Sequence, residues 1–453
     1  MTIAKLPVAI IGAGPVGLAA AAQLVARGET PIVFEAGETV GHSVLQWGHV
    51  HVFTPWRYCV DKLAASMLSD AGWAHPDPED VPSGRELVEQ YLAPLAALPA
   101  VAPHIHLNAK VVGVTRRNTD KVRTVGRETM PFVLRIADTD GSMRTIEARA
   151  VIDASGTWTR PNPAGSDGLP AIGEPEAAGR IATGIPEVLG KDRARYAGKT
   201  VAVVGSGHSA LNALNELAEL RAAAPGTRIL WIVRKERVES AFGGEAADAL
   251  PARGALGLRG RHLTLSGAVE VFAPFRIAEI ARDGDGRLLV TGDHRGVPGE
   301  FKADEMIVAT GFRPDLSMLR EIRLSLDPWL ESAAGIGAMI DPNLHSCGTV
   351  RPHGARELAH HEVGFYIAGM KSYGRAPTFL LATGYEQVRS IVAALVGDEA
   401  AAARVELELP ETGVCSSSPK PKAGVKAPSS CCSSPDTLAP EPEASKPAPS
   451  CCV

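Results

Sequence analysis

Short continuous apolar runs, separated by Gly-rich turns and longer helical patterns, characterise this chain. Runs of this kind are typical of strands that are buried on both faces of a parallel sheet. The first covers residues 6–11; a Gly-rich turn, an Ala-rich segment over about 15–26 and a second run at 31–35 follow it. This order predicts a strand, a helix and a second strand, with Gly28 as the residue that ends the helix.

The same order returns in the middle of the chain. Residues 200–204 predict a strand, about 209–223 a helix and 228–233 the next strand. Further strands are predicted at 110–115, 131–136, 150–154, 306–309 and 364–368, and further helices at 54–73, 83–98 and 377–395. The pattern therefore predicts an α/β fold with two Rossmann-like dinucleotide-binding domains.

Composition narrows the class of protein. Hydrophobic residues make up 45% of the 453 residues, charged residues 21%, and the formal net charge is −5. No basic run lies beside aromatic residues, so we expect no nucleic-acid partner. No stretch reaches the roughly 18 apolar residues that span a bilayer, and glycines interrupt the apolar N-terminus, unlike a secretory signal. We expect a soluble, cytoplasmic protein.

The first Gly-rich turn has the G-x-G-x-x-G spacing of a dinucleotide site. Gly12 allows the tight turn, Gly14 lets the backbone approach a pyrophosphate, and Gly17 lets the helix pack on the strand. Glu35 ends the next strand, where a carboxylate that binds a ribose is expected. A purely structural Gly-rich turn is the alternative, but the strand, helix and acid around it favour a nucleotide.

The second turn is Gly205-Ser206-Gly207-His208-Ser209-Ala210, and Arg234 and Lys235 follow the next strand in place of an acid. Cations there suit a 2′-phosphate, which favours NADPH over NADH, although a solvated strand end is the alternative. The predicted contacts are Gly205, Gly207, Ser209, Arg234 and Lys235. The simplest interpretation is that FAD binds at the first site and NADPH binds at the second.

With these motifs the chain resembles, over about residues 6–400, the two-dinucleotide-binding flavoproteins, and specifically the class B flavin monooxygenases. Segments 153–158 and 308–314 resemble the family's two Ala-Thr-Gly crossovers, which implies that the NADPH domain is inserted into the FAD domain. The implied segments are 1–165 and 306–402 for FAD, 166–305 for NADPH, and a tail at 403–453. The resemblance also implies that Trp47, Val111, Gly156 and Gly369 contact FAD.

The chain departs from these families at two places. The stretch 184–196 lacks the His of the monooxygenase fingerprint, and Gly369 is followed by Met370 where disulfide-reductase relatives have Asp. Segment 364–377 resembles flavoproteins associated with arsenic resistance, including the trivalent organoarsenical (methylarsenite) monooxygenases. That resemblance implies a trivalent arsenical as substrate.

Five of the seven cysteines lie in the tail, where Pro, Ser, Lys and Ala dominate and disorder is predicted. They include two vicinal pairs, Cys431-Cys432 and Cys451-Cys452. Adjacent thiolates are suited to a soft, thiophilic ion, so we expect these four to capture a metalloid without forming a structural metal site; incidental thiols are the alternative. Cys59 and Cys347 are candidate substrate contacts, or else small buried hydrophobes.

Three functions remain open. The first is a monooxygenase that uses NADPH, FAD and dioxygen to oxygenate a soft small molecule such as a trivalent arsenical; the cofactor carries the difficult step, so little acid–base chemistry is required. The second is a flavin reductase of thiophilic metal ions or disulfides, which needs a cysteine pair beside the flavin. The third is a metalloid carrier whose nucleotide sites are structural.

Overall fold

A computed structural model describes residues 5–245, 248, 250–344, 350–376 and 379–408. Cys347 and the five tail cysteines lie outside the described residues. The predictions made for them, and that of a disordered tail beyond residue 408, therefore stay predictions.

Sixteen strands are present in the described residues: β1 Val8–Ile11, β2 Pro31–Phe34, β3 Ile105–His106, β4 Ala109–Arg116, β5 Phe132–Asp138, β6 Met143–Ala148, β7 Ala150–Asp153, β8 Ile181–Thr183, β9 Thr200–Val204, β10 Arg228–Ile232, β11 Glu270–Phe272, β12 Phe275–Arg282, β13 Leu288–His294, β14 Val297–Ala303, β15 Glu305–Val308 and β16 Phe365–Ile367. The α-helices are α1 Pro15–Ala26, α2 His42–Leu45, α3 Lys62–Asp70, α4 Gly84–Glu86, α5 Ala93–Ala97, α6 Arg193–Tyr196, α7 His208–Ala223, α8 Pro251–Leu265, α9 Ala334–Ile340, α10 Leu381–Leu395 and α11 Glu399–Ala403. A π-helical segment, Leu87–Leu92, joins α4 to α5.

The first sheet is parallel and has the strand order β16-β7-β1-β2-β3. Every residue of its central strands β1 and β7 is buried, as the continuous apolar runs predict. Helix α1 connects β1 to β2, and Gly28 follows it at a φ of +73°, the left-handed conformation expected after a helix end.

The second sheet repeats this arrangement with the order β11-β10-β9-β15-β8, also parallel. Its strands all lie in the chain between β7 and β16 of the first sheet. The described fold is therefore the predicted α/β fold of two dinucleotide-binding units, one inserted into the other. Two three-stranded antiparallel sheets, β4-β5-β6 and β12-β13-β14, complete it.

Two predicted helices differ in the structure. The segment 54–73 is helical only at the short 3₁₀ turn Trp56–Tyr58 and at α3, because the Asp61 side chain accepts a hydrogen bond from the backbone N–H of Ala64 and starts the helix there. The helix predicted for 377–395 begins at Leu381. The helix predicted at 83–98 is present, with a capping box between Ser83 and Glu86 at its start.

A buried ion network ties the antiparallel sheet of β4 to the segment before β16. Glu362 accepts hydrogen bonds from Arg116 at 2.8 Å and from Arg127 at 2.7 Å, and all three side chains are at most 4% exposed. The backbone N–H of Arg323 donates to the same carboxylate at 3.2 Å. The network therefore joins parts of the chain that are far apart in sequence.

Candidate dinucleotide-binding sites

The first Gly-rich turn is shaped by close backbone contacts. Gly12 has a φ of +99°, and a Cβ at this position would lie 2.9 Å from the carbonyl oxygen of Ala154. A Cβ on Gly17 would lie 1.9 Å from the carbonyl oxygen of Gly12, which only glycine avoids. A Cβ on Gly14, in contrast, meets no atom within 4 Å. The turn therefore packs tightly on its protein side and leaves open space at Gly14, as a pyrophosphate cradle requires.

Helix α1 starts at this open side of the turn. Gly14 is its N-cap residue, no side chain caps the helix, and Pro15 occupies the first helical position. The first backbone N–H groups of the helix have no partner within the helix, and the helix dipole places partial positive charge there. An anion such as a phosphate can accept these hydrogen bonds.

Glu35 lies where the sequence predicts a ribose ligand. Its two carboxylate oxygens accept hydrogen bonds from the backbone N–H groups of Ala13 (2.8 Å) and Gly37 (2.9 Å). These bonds fix the carboxylate beside the Gly-rich turn, and each oxygen retains acceptor capacity for a hydroxyl group.

The segment with Trp47 also lies against the first turn. The N–H of Gly41 donates to the carbonyl oxygen of Ala13 at 2.9 Å, which joins this segment to the turn. The half-buried ring of Trp47 packs on Gly84, where a Cβ would come within 2.8 Å of it. Trp47 is therefore held close to the predicted cofactor path.

Val111 lies in β4 and is 6% exposed. The residues before it are fixed to the end of β2: the N–H of Ala109 donates to the carbonyl oxygen of Glu35 at 2.8 Å, and that of Asn108 to Gly37 at 2.9 Å. Val111 is therefore two residues beyond the one that is bonded to Glu35, and its contact with a dinucleotide stays a prediction.

Gly156 and Gly369 follow the adjacent strands β7 and β16. Both have positive φ, at +69° and +72° respectively. A Cβ on Gly369 would lie 3.2 Å from the side chain of Val16 in the first turn of α1. Gly369 therefore lies at the start of α1, while Ala154 and Ser155, just before Gly156, face Gly12 in the turn.

Sequence reasoning missed a buried ion pair at this point. Lys371 donates to the carboxylate of Asp153 at 2.7 Å and to the hydroxyl of Ser155 at 3.0 Å, and neither charged side chain is exposed. The Ser155 hydroxyl in turn donates to Asp153 at 2.6 Å. The sequence did contain a signal for this pair, because Asp153 ends a continuous apolar strand. A buried carboxylate there requires a buried partner of opposite charge.

A second buried network positions Gly369. Its N–H donates to the side-chain oxygen of Gln387 in α10 at 2.7 Å, and the Gln387 amide donates to Nε2 of His353 at 2.9 Å. Because the Gln387 amide donates to Nε2, that nitrogen carries no proton and the imidazole is neutral, while its Nδ1 donates to the carbonyl oxygen of Arg351 at 2.9 Å. Burial lowers the pKa of His353 in the same sense. These bonds fix the His353 tautomer and the backbone at Gly369 together.

The second Gly-rich turn repeats the geometry of the first. Gly205 has a φ of +128°, and a Cβ there would lie 2.3 Å from the carbonyl oxygen of Ala309. Gly207 is the N-cap of α7, has no side-chain cap, and a Cβ on it meets no atom within 4 Å. Ser209 lies in the first turn of that helix. This open helix start suits a second phosphate-bearing ligand.

The predicted 2′-phosphate ligands lie just beyond β10. Arg234 and Lys235 are both exposed. One guanidinium nitrogen of Arg234 donates to the carbonyl oxygen of Ser166 at 2.8 Å, which orients the side chain and leaves its other N–H groups for a ligand.

A cavity of about 460 Å³ lies where the crossover segments meet. Trp158 and Phe312, one from each crossover, stack with their ring centroids 4.7 Å apart. The indole N–H of Trp158 donates to the Gln46 side chain at 2.5 Å, so this stack lies next to the Trp47 segment. The cavity is also lined by residues from the segment 183–192. The cavity therefore brings together residues of both crossover segments and of the segment between them.

Cys59 does not have the properties of a reactive thiol. The side chain is fully buried and contacts the Thr54 hydroxyl at 3.3 Å. Burial raises the pKa of Cys59 to about 11, so it remains a neutral thiol. A side chain as buried as that of Cys59 does not favour the substrate contact expected from the sequence.

Two kinds of site are absent from the part of the chain that the structure describes. No group of three or more His, Cys, Asp or Glu side chains is arranged to hold a metal ion. Over the same residues, no helix combines the length and apolarity that crossing a bilayer demands.

Comparison with known families gives one match that covers most of the chain. The model of the pyridine nucleotide-disulphide oxidoreductase family matches residues 9–332, which is more than half of the 453 residues. None of the curated proteins compared with the chain matches it.

Solved structures share the fold at low sequence identity. Bacillithiol disulfide reductase from Bacillus cereus is 18% identical, covers 86% of this chain and 99% of its own, and superposes with a TM-score of 0.60. The cadaverine monooxygenase DfoA from Erwinia amylovora is 13% identical, with 92% and 98% covered and a TM-score of 0.59. The ornithine N-hydroxylase from Kutzneria is 16% identical, with 87% and 99% covered and a TM-score of 0.56. At these identities the likeness shows the fold alone.

Proposed function

We propose that this chain, which belongs to the pyridine nucleotide-disulphide oxidoreductase family and is an oxidoreductase, is an FAD- and NADPH-dependent monooxygenase. The observation that carries the proposal is the pair of Gly-rich turns, each closed on its protein side and open at the start of an uncapped helix. If the two turns served only to stabilise the fold, the first backbone N–H groups of both helices would not need to be left open to a ligand.

The chain's own residues have distinct parts in this function. The turn at Gly14 and Glu35 would hold the pyrophosphate and ribose of FAD, with Trp47, Val111, Gly156 and Gly369 along the rest of the cofactor. The turn at Gly205 and Gly207, with Ser209, would hold the pyrophosphate of NADPH. When bound, FAD supplies hydride acceptance from NADPH and the activation of dioxygen.

NADPH is expected to be preferred over NADH because of Arg234 and Lys235. Charge-assisted hydrogen bonds contribute about 1.5–3 kcal/mol each, so replacing both residues with alanine should raise the KM for NADPH by about tenfold or more. The KM for NADH should change little. Steady-state kinetics with both cofactors measure this difference. The matched control is Arg228→Ala, since Arg228 is exposed at the opposite end of β10; an equal loss for both cofactors in the double variant would contradict the assignment.

For the substrate we propose a trivalent organoarsenical, with methylarsenite oxidised to methylarsenate. Two features support it: the resemblance of segment 364–377 to arsenic-resistance flavoproteins, and two vicinal cysteine pairs among the last 25 or so residues, whose thiolates suit a soft metalloid. In this reaction NADPH provides two electrons, one oxygen atom of dioxygen goes to arsenic and the other to water. The alternative of a thiol-dependent reductase is less favoured, because Cys59 is the one cysteine in the described residues and it is buried.

The test is NADPH consumption by the FAD-loaded protein, with and without methylarsenite and dioxygen, followed by identification of the arsenic product. We expect methylarsenite to stimulate NADPH oxidation in air and methylarsenate to form in equal amount. Under anaerobic conditions turnover should stop after one reduction of the flavin. Sustained anaerobic oxidation of NADPH by mercuric ion or a disulfide would favour the reductase instead.

One arm of this assay examines the tail. Serine replacement of Cys431, Cys432, Cys451 and Cys452 should weaken the apparent affinity for methylarsenite and leave the maximal rate nearly unchanged, because a tethered thiolate pair raises the local substrate concentration without entering the reaction. Loss of the maximal rate would instead place these cysteines in the chemistry.

A further inference from the structure

A second groove, of about 780 Å³, lies beside the second nucleotide turn, since Phe53 in its lining contacts the ring of His208. Its walls are α7, α8 and the segment 49–53 that follows Trp47. None of the residues that line it belongs to 12–17 or 205–210, and the groove opens along the flank of α7 beyond its first turn. The residues that line it are therefore ones to which the proposed cofactors assign no part.

Much of the lining is apolar. Val50, Val52 and Phe53 form one side, and Leu256 and Leu263 of α8 form the other. Leu258, also on α8 and also part of the lining, is 42% exposed. A hydrocarbon chain placed between these walls removes apolar surface from water, which is favourable in proportion to the area buried.

One end of the groove is polar and includes an unpartnered acceptor. Burial lowers the pKa of His49, which favours the neutral ring, and the ring lies beside the backbone of Pro186. With its proton on the nitrogen beside that backbone, the neutral ring has Nε2 as an acceptor. The Nε2 atom is buried and has no hydrogen-bond partner. A buried acceptor in this state is stabilised by a donor brought by a ligand.

Glu216 provides a second acceptor next to the first. Its Oε1 lies 3.8 Å from Nε2 of His49, while Oε2 accepts a hydrogen bond from the N–H of Val188 at 3.1 Å. Burial, and then the neighbouring carboxylates Glu187 and Glu219, raise the pKa of Glu216 to about 7. The two atoms are therefore close enough for one donor group to reach both, and the carboxylates of Glu187 and Glu219 are close to Glu216.

We propose that this groove binds an organic cation, in which an ammonium group donates to Nε2 of His49 and Oε1 of Glu216 while its hydrocarbon chain lies between the apolar walls. An organic cation suits this groove better than a metal ion, because the described residues provide no group of three metal-binding side chains and the walls are apolar. The site is independent of the substrate proposed above, and its test requires no turnover.

Hexylamine is the probe, and hexanol, of the same chain length, is the matched control ligand. Isothermal titration of the full-length, FAD-loaded protein at pH 8 should show hexylamine binding at least about tenfold more tightly than hexanol, since a charge-assisted hydrogen bond is worth more than a neutral one. Equal binding of the two ligands, or no binding of hexylamine, would overturn the proposal.

Glu216→Gln keeps the shape of the side chain and removes its charge. It should abolish most of the preference for hexylamine over hexanol, whereas Glu270→Gln, an exposed acid on β11, should leave it intact. Unchanged binding of hexylamine to Glu216→Gln would contradict the site.

The pH dependence of the wild-type protein provides a measurement without mutation. Hexylamine keeps its charge to about pH 10, as a lysine side chain does. The carboxylate of Glu216 forms as the pH rises through about 7, so the affinity should increase from pH 6 to pH 8. The ionisable groups around it are His49, Glu187, Lys191, Asp192, Glu219, Arg259 and His262. A flat or falling profile for hexylamine would count against Glu216 as the ligand.

Discussion

Replacing Gly14 with valine should abolish FAD retention while leaving the melting temperature of the cofactor-free protein nearly unchanged. The backbone of Gly14 has a φ of −81° and a ψ of −173°, which valine can adopt, and a Cβ there meets no protein atom within 4 Å. The added side chain therefore enters only the space proposed for the pyrophosphate. Flavin absorbance of the purified protein should fall from about one FAD per chain to almost none.

The design of this experiment depends on choosing the right glycine. At Gly17 a Cβ would lie 1.9 Å from the carbonyl oxygen of Gly12, so substitution there would damage the fold as well as the site. Gly179→Val is the matched control, because Gly179 is exposed and a Cβ there also meets nothing within 4 Å. A yellow Gly14→Val protein with normal FAD content would refute the first dinucleotide site.

The second large effect is expected at Glu362. Glu362→Gln should lower the free energy of unfolding by about 3–5 kcal/mol, the usual cost of removing one partner from a buried ion pair. The variant leaves the guanidinium groups of Arg116 and Arg127 buried without their counter-charge. Urea denaturation followed by circular dichroism measures the change.

Glu147→Gln serves as the control for Glu362→Gln. Glu147 also pairs with an arginine in the same antiparallel sheet, Arg117, but these side chains are 35% and 51% exposed. Exposed pairs contribute only about 0–1 kcal/mol, so its effect should be small. Equal losses in the two variants would show that burial of the network is not what stabilises it.

The effect of Glu362→Gln should also depend on pH. Burial alone would raise the pKa of Glu362, but hydrogen bonds from Arg127 and Arg116 outweigh it and hold this pKa below its ordinary value. A carboxyl group with a lowered pKa in the folded state stabilises the protein above its unfolded pKa of about 4.3 and loses that contribution as the pH falls further. The difference between wild type and variant should therefore narrow below about pH 4.

Local features of the molecule were the ones that sequence could predict. The two βαβ units follow from glycine spacing and apolar runs within about 30 residues each, and the structure places Gly12, Gly17 and Gly205 in the tight contacts that this spacing requires. The insertion of one unit into the other came only from resemblance, since the pairing of β7 with β16 joins strands more than 200 positions apart.

Features that depend on distant contacts could not be predicted. Lys371 and Asp153 are 218 positions apart, and neither position carries a periodic signal. The groove beside α7 combines the separate segments 49–53, 212–219 and 252–263, whose juxtaposition only the fold determines. The start of the short helix at 62–70 depends instead on the Asp61 cap, which hydrophobic periodicity does not encode.

The order of strands in the first sheet has a consequence for biosynthesis. During translation β1, β2 and β7 emerge early, but β16, which covers the outer edge of β7, follows only after every strand of the second sheet has been made. Until then β7 presents an open edge, and Asp153 at its end has no Lys371 to neutralise it. The half of the molecule that the ribosome begins first is thus the half that is completed last.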